Sequence, residues 1–279
     1  MRVKIQTKEK MNEEIAQLFI DTVNENPNCV LGLATGSSPL GVYSKLIEAY
    51  NDGKVSFKDV RTFNLDEYVG LSEDHEQSYR YFMNHNLFDH IDIAKENTHV
   101  PCGNVESEEG LDSYDNLIDE AGGIDLQILG IGSDGHIAFN EPGTSFDSLT
   151  HIAELAQSTI NDNSRFFESI DQVPTKAVTM GLASIMKAKK IVLIATGESK
   201  ADAVKGLLMG LITEKVPCSI LRKHPDVTIY VDRDAYSKIK YLLWLNVLFV
   251  ETKQSIAKQL MLLHVSVIAA VLMHMKRIF

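Results

Sequence analysis

Short apolar runs alternate along this chain with stretches of helical periodicity, and several runs are apolar at every position rather than every second one. A strand of that kind is covered on both faces. The alternation therefore predicts an α/β fold, a parallel sheet with helices on both faces. Strands are expected at residues 2–6, 30–34, 60–65, 124–129, 191–195 and 227–231. Helices are expected at 9–23, 39–50, 79–88, 111–118, 177–188 and 201–209; in the first, Met11, Ile15, Leu18, Phe19 and Val23 recur at helical spacing. Ser38 and Pro39 suit the N-cap and first position of the second helix. No Ser/Gly-rich linker breaks the pattern before about residue 235, so residues 1–235 are expected to form a single domain. Residues 236–279 read as an atypical helical tail with apolar stretches at 242–250 and 260–275. The second stretch is shorter than the ~20 residues a membrane span needs, and His264 and His274 interrupt it. A buried or partner-facing helix is expected there.

Charge narrows the function classes. With 27 Lys+Arg against 38 Asp+Glu, the net charge is −11. A phosphate backbone or anionic membrane needs a basic face, so neither nucleic acid nor membrane is expected as a partner. A small anionic substrate needs only a few local donors. Cys29, Cys102 and Cys218 form no close-spaced pair, so no zinc or redox motif is expected, and a sparse odd set suits a reducing cytosol. The N-terminus is too polar for a signal peptide, and a cytoplasmic setting is expected.

In open parallel sheets ligands gather at the carboxyl ends of the strands. Two strands run into the same pattern, Ala34-Thr35-Gly36-Ser37-Ser38 and Ala195-Thr196-Gly197-Glu198-Ser199, and the second is followed by Lys200. Glycine allows a tight turn and close backbone approach, and the next helix offers its free N–H groups to an anion. The duplication with a lysine suggests a phosphate site; ordinary capped turns would read similarly. A third strand ends in Asn64-Leu65-Asp66-Glu67-Tyr68, whose paired acids suit general base work or a solvated strand end. A fourth ends in Gly130-Ile131-Gly132-Ser133-Asp134-Gly135-His136-Ile137-Ala138-Phe139-Asn140-Glu141-Pro142. Its glycines match GxGxxG, but Pro142 and Gly143 follow too soon for the helix a dinucleotide site requires. Asp134, His136 and Glu141 instead suit acid–base chemistry, since carboxylates can fix a histidine's tautomer and raise its basicity. One histidine with two acids is an incomplete set for zinc or non-haem iron, so no metal is expected. The polar segment 158–167 could form a lid, from which Arg165 could clamp a phosphate.

The segments LATGSSPLGVY, FNLDEYVGL, SYRYFM, GIGSDGHIAFNEPGTSF, NSRFF, MGLASIM and ATGESKADAV together resemble the glucosamine-6-phosphate deaminase family (glucosamine/galactosamine-6-phosphate isomerases), in order from about residue 1 to 235. The resemblance implies a modified Rossmann-like fold without a nucleotide and a cytoplasmic hydrolase of amino-sugar catabolism. It implies conversion of glucosamine 6-phosphate and water to fructose 6-phosphate and ammonia, with no cofactor. By the same resemblance Asp66 is the base that moves the proton between C2 and C1. His136 catalyses ring opening, held by Asp134 and Glu141. Gly36, Ser37, Arg165 and Lys200 form the phosphate cradle, with Thr35 beside the sugar. The family's basic residues for an allosteric sugar phosphate are not matched by Thr150-His151-Ile152-Ala153-Glu154. The family also includes monomers and hexamers built of trimers, so a homo-oligomer stays open.

Two rivals fit less well. A sugar-phosphate lactonase would keep the cradle without needing Asp66 in a DEY motif. A sugar-phosphate sensor would usually carry a helix-turn-helix and has no need of a base beside C2.

Overall fold

The computed structural model describes residues 1–105 and 107–239. It divides the chain into Met1–Tyr236 and Ser237–Phe279. The tail helices expected at 242–250 and 260–275 lie outside the described residues.

The chain begins with β1 (Arg2–Ile5), α1 (Lys8–Glu25), β2 (Val30–Leu33), α2 (Leu40–Asn51) and β3 (Arg61–Asn64). It continues through β4 (Asp66–Tyr68), α3 (Tyr79–Asn86), β5 (Thr98–His99), α4 (Asp112–Glu120) and β6 (Leu126–Leu129). Then come β7 (His151–Glu154), α5 (Gln157–Asn163), β8 (Lys176–Thr179), α6 (Leu182–Met186), β9 (Ile191–Ala195), α7 (Ala201–Met209) and β10 (Val227–Val231). Helix α1 starts where the Thr7 hydroxyl accepts the Lys10 amide at 3.4 Å. It buries Met11, Ile15, Phe19 and Val23 along one stripe, as their spacing requires.

Seven strands form a parallel sheet in the order β1-β10-β9-β6-β2-β3-β5. Every residue of β2, β6, β9 and β10 is buried, which is why their sequences do not alternate. Each fully buried Leu, Ile or Val there contributes roughly 1.5–3 kcal/mol. From β2 the chain winds outward to β3 and β5; from β6 it winds the other way to β9 and β10. The loops leaving β2 and β6 therefore part, and a crevice opens at their carboxyl ends. Gly32 lets these two strands carry a buried glutamine between them: a Cβ there would stand 2.7 Å from Gln127 Cγ.

A second, three-stranded antiparallel sheet, β4-β8-β7, was not expected. Residues 177–188 are not one helix. Ala177, Val178 and Thr179 pair with β4 on one side and β7 on the other, and the helix begins only at Leu182. Two partners outweigh a local pattern that suits a helix. The break is enforced at Gly181, where a Cβ would lie 2.2 Å from the Leu149 carbonyl. The N-cap of α2 also differs by one residue: the helix begins at Leu40 with Pro39 in the cap position and no side-chain cap. Ser38 turns instead toward the crevice.

Candidate active site

The crevice is a cavity of about 480 Å³, and four of its walls come from the strand ends singled out in the sequence. Thr35, Gly36 and Ser37 follow β2, Asp66 follows β3, His136 follows β6, and Lys200 follows β9. Arg165 reaches the same cavity from the turn after α5. Gly36 and Gly197 hold φ of 81° and 87°, so the duplicated motif makes the same left-handed turn twice. The copies are not equivalent. The Gly197 amide donates to the Asp232 carboxylate at 2.9 and 3.1 Å. The second turn therefore offers the cavity its Ser199 and Lys200 side chains rather than that amide.

Asp66 opens β4 after Leu65 leaves the parallel sheet, a switch fixed by the Met180 amide donating to the Leu65 carbonyl at 2.7 Å. Its carboxyl is 6% exposed. Burial, then the neighbouring Glu67 charge, push it up to about 7, against His136 and the Thr35 hydroxyl, which favour the charged form. Such a carboxylate can accept and return a proton near neutral pH.

His136 stands on a stiff loop. Asn140 is fully buried and donates to the Ile137 and Met180 carbonyls at 2.9 Å each. Between them Ala138 takes a left-handed φ of 53°. A Cβ on Gly132 would lie 2.3–2.5 Å from three atoms of the His136 ring, so glycine is what lets the imidazole fold back over the strand end. Nδ1 lies 2.9 Å from Asp134 Oδ1 and 3.6 Å from Glu141 Oε2. Neither Nδ1 nor Glu141 Oε2 has an aligned hydrogen bond, so these contacts are chiefly electrostatic. Burial works against a charged ring, yet the two carboxylates prevail and hold His136 up at about 9. Burial also opposes the Asp134 charge, and the imidazole overrides it, drawing that carboxyl down to about 2.

Asp134 and Glu141 stand behind the ring rather than in the cavity wall. Glu141 is steadied by Thr159, whose hydroxyl donates to Oε1 at 2.6 Å, and by the Ala156 amide at 3.2 Å. Asp134, His136 and Glu141 each bring a ligand atom within 4.8 Å of the others. One imidazole and two acids that flank the same ring nitrogen form an ion-paired histidine and fall short of a four-ligand metal set.

Thr159, Asn163 and Arg165 bring the polar segment 158–167 to the cavity's edge. Asn163 Nδ2 donates to the Tyr68 hydroxyl at 2.9 Å, and Tyr68 packs against Tyr79, Phe139 and Phe167. Thr159, Asn163, Tyr79 and Ser199 were not singled out from the sequence. Ser199 carried a signal, its place in the repeated turn; Thr159 is visible only once α5 packs on the Glu141 loop.

Phosphate-sized turns, a buried carboxylate and an ion-paired histidine around one crevice make this an α/β enzyme site for a small anionic substrate. Comparison with known proteins narrows it further. A family model described as glucosamine-6-phosphate isomerases/6-phosphogluconolactonase matches residues 4–230, and the chain belongs to that family. It is 56% identical over 232 residues to a glucosamine-6-phosphate deaminase of Thermoanaerobacter pseudethanolicus, covering 83% of this chain and 92% of that protein. Identity to one from Clostridium perfringens is 54% over 233 residues, 83% of this chain and 96% of that one. A solved monomeric glucosamine-6-phosphate deaminase superposes with a TM-score of 0.83 at 46% identity, covering 85% of this chain and 99% of the other. A 6-phosphogluconolactonase from Thermotoga maritima, at 22% identity and TM-score 0.66, shares the fold.

Proposed function

We propose that the chain converts glucosamine 6-phosphate and water to fructose 6-phosphate and ammonia, with residues 1–235 as the catalytic unit and no role assigned to 236–279. The observation that carries this reading is that Asp66, His136, Arg165 and Lys200, remote in sequence, line one cavity beside Thr35, Gly36 and Ser37. High identity to named deaminases over most of the chain supports the substrate.

The phosphate is held by Arg165, Lys200 and the Gly36–Ser37 turn, and that remote binding fixes C1 and C2 against Asp66. The sugar ring opens first. His136, charged between Asp134 and Glu141, gives a proton to the ring oxygen and recovers one from the anomeric hydroxyl. The new aldehyde makes the C2 proton acidic. Asp66 removes it, leaving a C1–C2 enol that bears the amine, and returns it to C1. The C2–H electrons form the C1–C2 double bond as the carbonyl pair moves onto O1, which gains a proton as the amine loses one. The nitrogen lone pair then forms the C2–N double bond of a ketimine while the C1–C2 pair takes the returned proton. Water adds there and ammonia leaves, giving the ketose. The aldehyde is the electron sink for C2–H removal and the ketimine for the addition of water, so these steps call for neither cofactor nor metal.

Three free cysteines, two of them buried, suit a cytoplasmic setting. Among the described residues no helix is long and apolar enough to cross a membrane. The monomeric state named for the solved relative is carried over as our reading of the assembly, which light scattering checks. The deciding assay is incubation with glucosamine 6-phosphate alone, reading ammonia and fructose 6-phosphate together in equal amounts. Absence of ammonia release, with hydrolysis of a sugar-phosphate lactone instead, would overturn the proposal.

A further inference from the structure

The second acid of the strand-end pair, Glu67, has no place in the steps above. Successive residues of a strand face opposite ways. Asp66 lines the catalytic cavity, whereas Glu67 lines a second cavity of about 510 Å³ with Glu73, Arg80, Cys102 and Gly103. Glu67 is only 3% exposed, yet it is fully engaged. Oε1 accepts the Tyr68 and Tyr79 amides at 2.8 and 2.9 Å, and Oε2 accepts the Arg80 amide at 2.9 Å. Two of these donors are the first-turn N–H groups of α3, so the carboxylate caps that helix. Residue 103 closes over it: a Cβ there would stand 3.0 Å from Glu67 Cγ and 2.2 Å from the Tyr68 carbonyl. Tyr79, drawn in by the same capping, is a wall of the catalytic cavity.

We propose that Glu67 is a positioning residue that sets the basicity of Asp66, holding a fixed negative charge one residue away and fastening α3 to the cavity wall. This rests on reading Asp66 as the base. Burial raises the Glu67 carboxyl, and three amides and the Arg80 guanidinium work against that rise. Asp66 is helped only by Thr35 and by His136 across the cavity. Three backbone amides hold the Glu67 carboxylate, so it is the better-held charge of the pair and stands one residue from Asp66. Neighbouring carboxyls in unlike environments divide into one permanent charge and one poised base. The other titratable groups facing the pair are Tyr68 on β4, Tyr79 on α3, Tyr114 on α4, and Glu73 and Cys102 on the loops around the second cavity.

The test is the pH profile of kcat/KM for Glu67→Gln and Glu67→Asp. In the Gln variant the acid limb moves down by roughly one pH unit, the size expected for loss of a close like charge. Its plateau kcat falls several-fold, because a weaker base removes the C2 proton. The Asp variant keeps the charge and the wild-type limb. A Gln variant with lower kcat and Tm but an unmoved limb would mean a purely structural residue and overturn the proposal. Should that variant not fold, 13C titration of the wild-type carboxyls decides instead. Two coupled steps with Glu67 ionising first are expected, and Asp66 ionising first refutes it. Full turnover by Asp66→Asn would sink the base assignment separately, with the carboxyl titration still readable.

Discussion

Replacing Gly132 by alanine tests the site through one methyl group. The backbone at Gly132 is not left-handed, so alanine meets no local strain. The added Cβ would lie 2.3 Å from His136 Cε1, 2.4 Å from Nδ1 and 2.5 Å from Nε2. Ordinary carbon contacts are about 3.5–4.0 Å, so the ring must retreat by about 1 Å or swing aside. Either motion disturbs the 2.9 and 3.6 Å contacts to Asp134 and Glu141. A displacement of that size costs on the order of 10²-fold in rate. Overpacking costs about 1–3 kcal/mol of stability, which a large domain tolerates. The kinetic loss should fall on ring opening. The variant is expected to slow turnover of the cyclic sugar by about 100-fold while enolising an open-chain analogue within a few-fold of wild type. Stopped-flow kinetics on both substrates reads the difference. A variant that turns over the cyclic sugar within threefold of wild type, with a folded circular dichroism spectrum, refutes the reasoning: the imidazole would not need this place.

Three further outcomes are expected. Asp66→Asn lowers kcat by on the order of 10²–10⁴-fold while an unreactive sugar phosphate still binds, by calorimetry; because burial makes the charged carboxyl costly above about pH 7, the same variant melts several degrees higher at pH 8, and an unchanged Tm would contradict that cost. Lys200→Ala raises KM about 10–100-fold with a smaller change in kcat, as loss of one charge-assisted phosphate contact predicts, and an unaltered KM removes Lys200 from the cradle. The Asp134–His136 pair stabilises the fold fully between about pH 3.8 and 6.5, and its contribution is lost as pH rises through about 9 or falls through about 2; the Tm gap between wild type and Asp134→Asn should therefore close above pH 9, and a gap independent of pH would refute the pairing.

How far the sequence could be read follows from where each constraint acts. Most of the parallel strands were legible because burial on both faces leaves them largely apolar, most fully in β9; β5, only two residues long, was not. The antiparallel sheet was not legible. Its strands are three or four residues long, and Ala177, Val178 and Thr179 read as strand only beside β4 and β7. The residue types of the loop itself singled out Asp134, His136 and Glu141, and the geometry of that single loop brings them together. Thr159 could not be read, because its tie to Glu141 crosses from α5 to another loop.

The glycines of residues 130–135 carry the strongest lesson. They match a dinucleotide fingerprint in spacing, yet their work here is different. Gly132 makes room for an imidazole, and Gly135, at φ 93°, turns the loop where a side chain would press to 3.0 Å from Val216 and 3.3 Å from the Cys218 sulfur. A glycine pattern reports close approach of something to the backbone; what approaches is decided by the neighbours. Here those neighbours are two acids and a histidine with no helix behind them, which suits the space opened at the strand end to the proton transfer proposed above. In the proposed function the phosphate falls to the turns after β2 and β9, where a helix does follow. In that proposal, separating the anion site from the proton-transfer site along one crevice is what allows a single hexose phosphate to be held at one end and opened at the other.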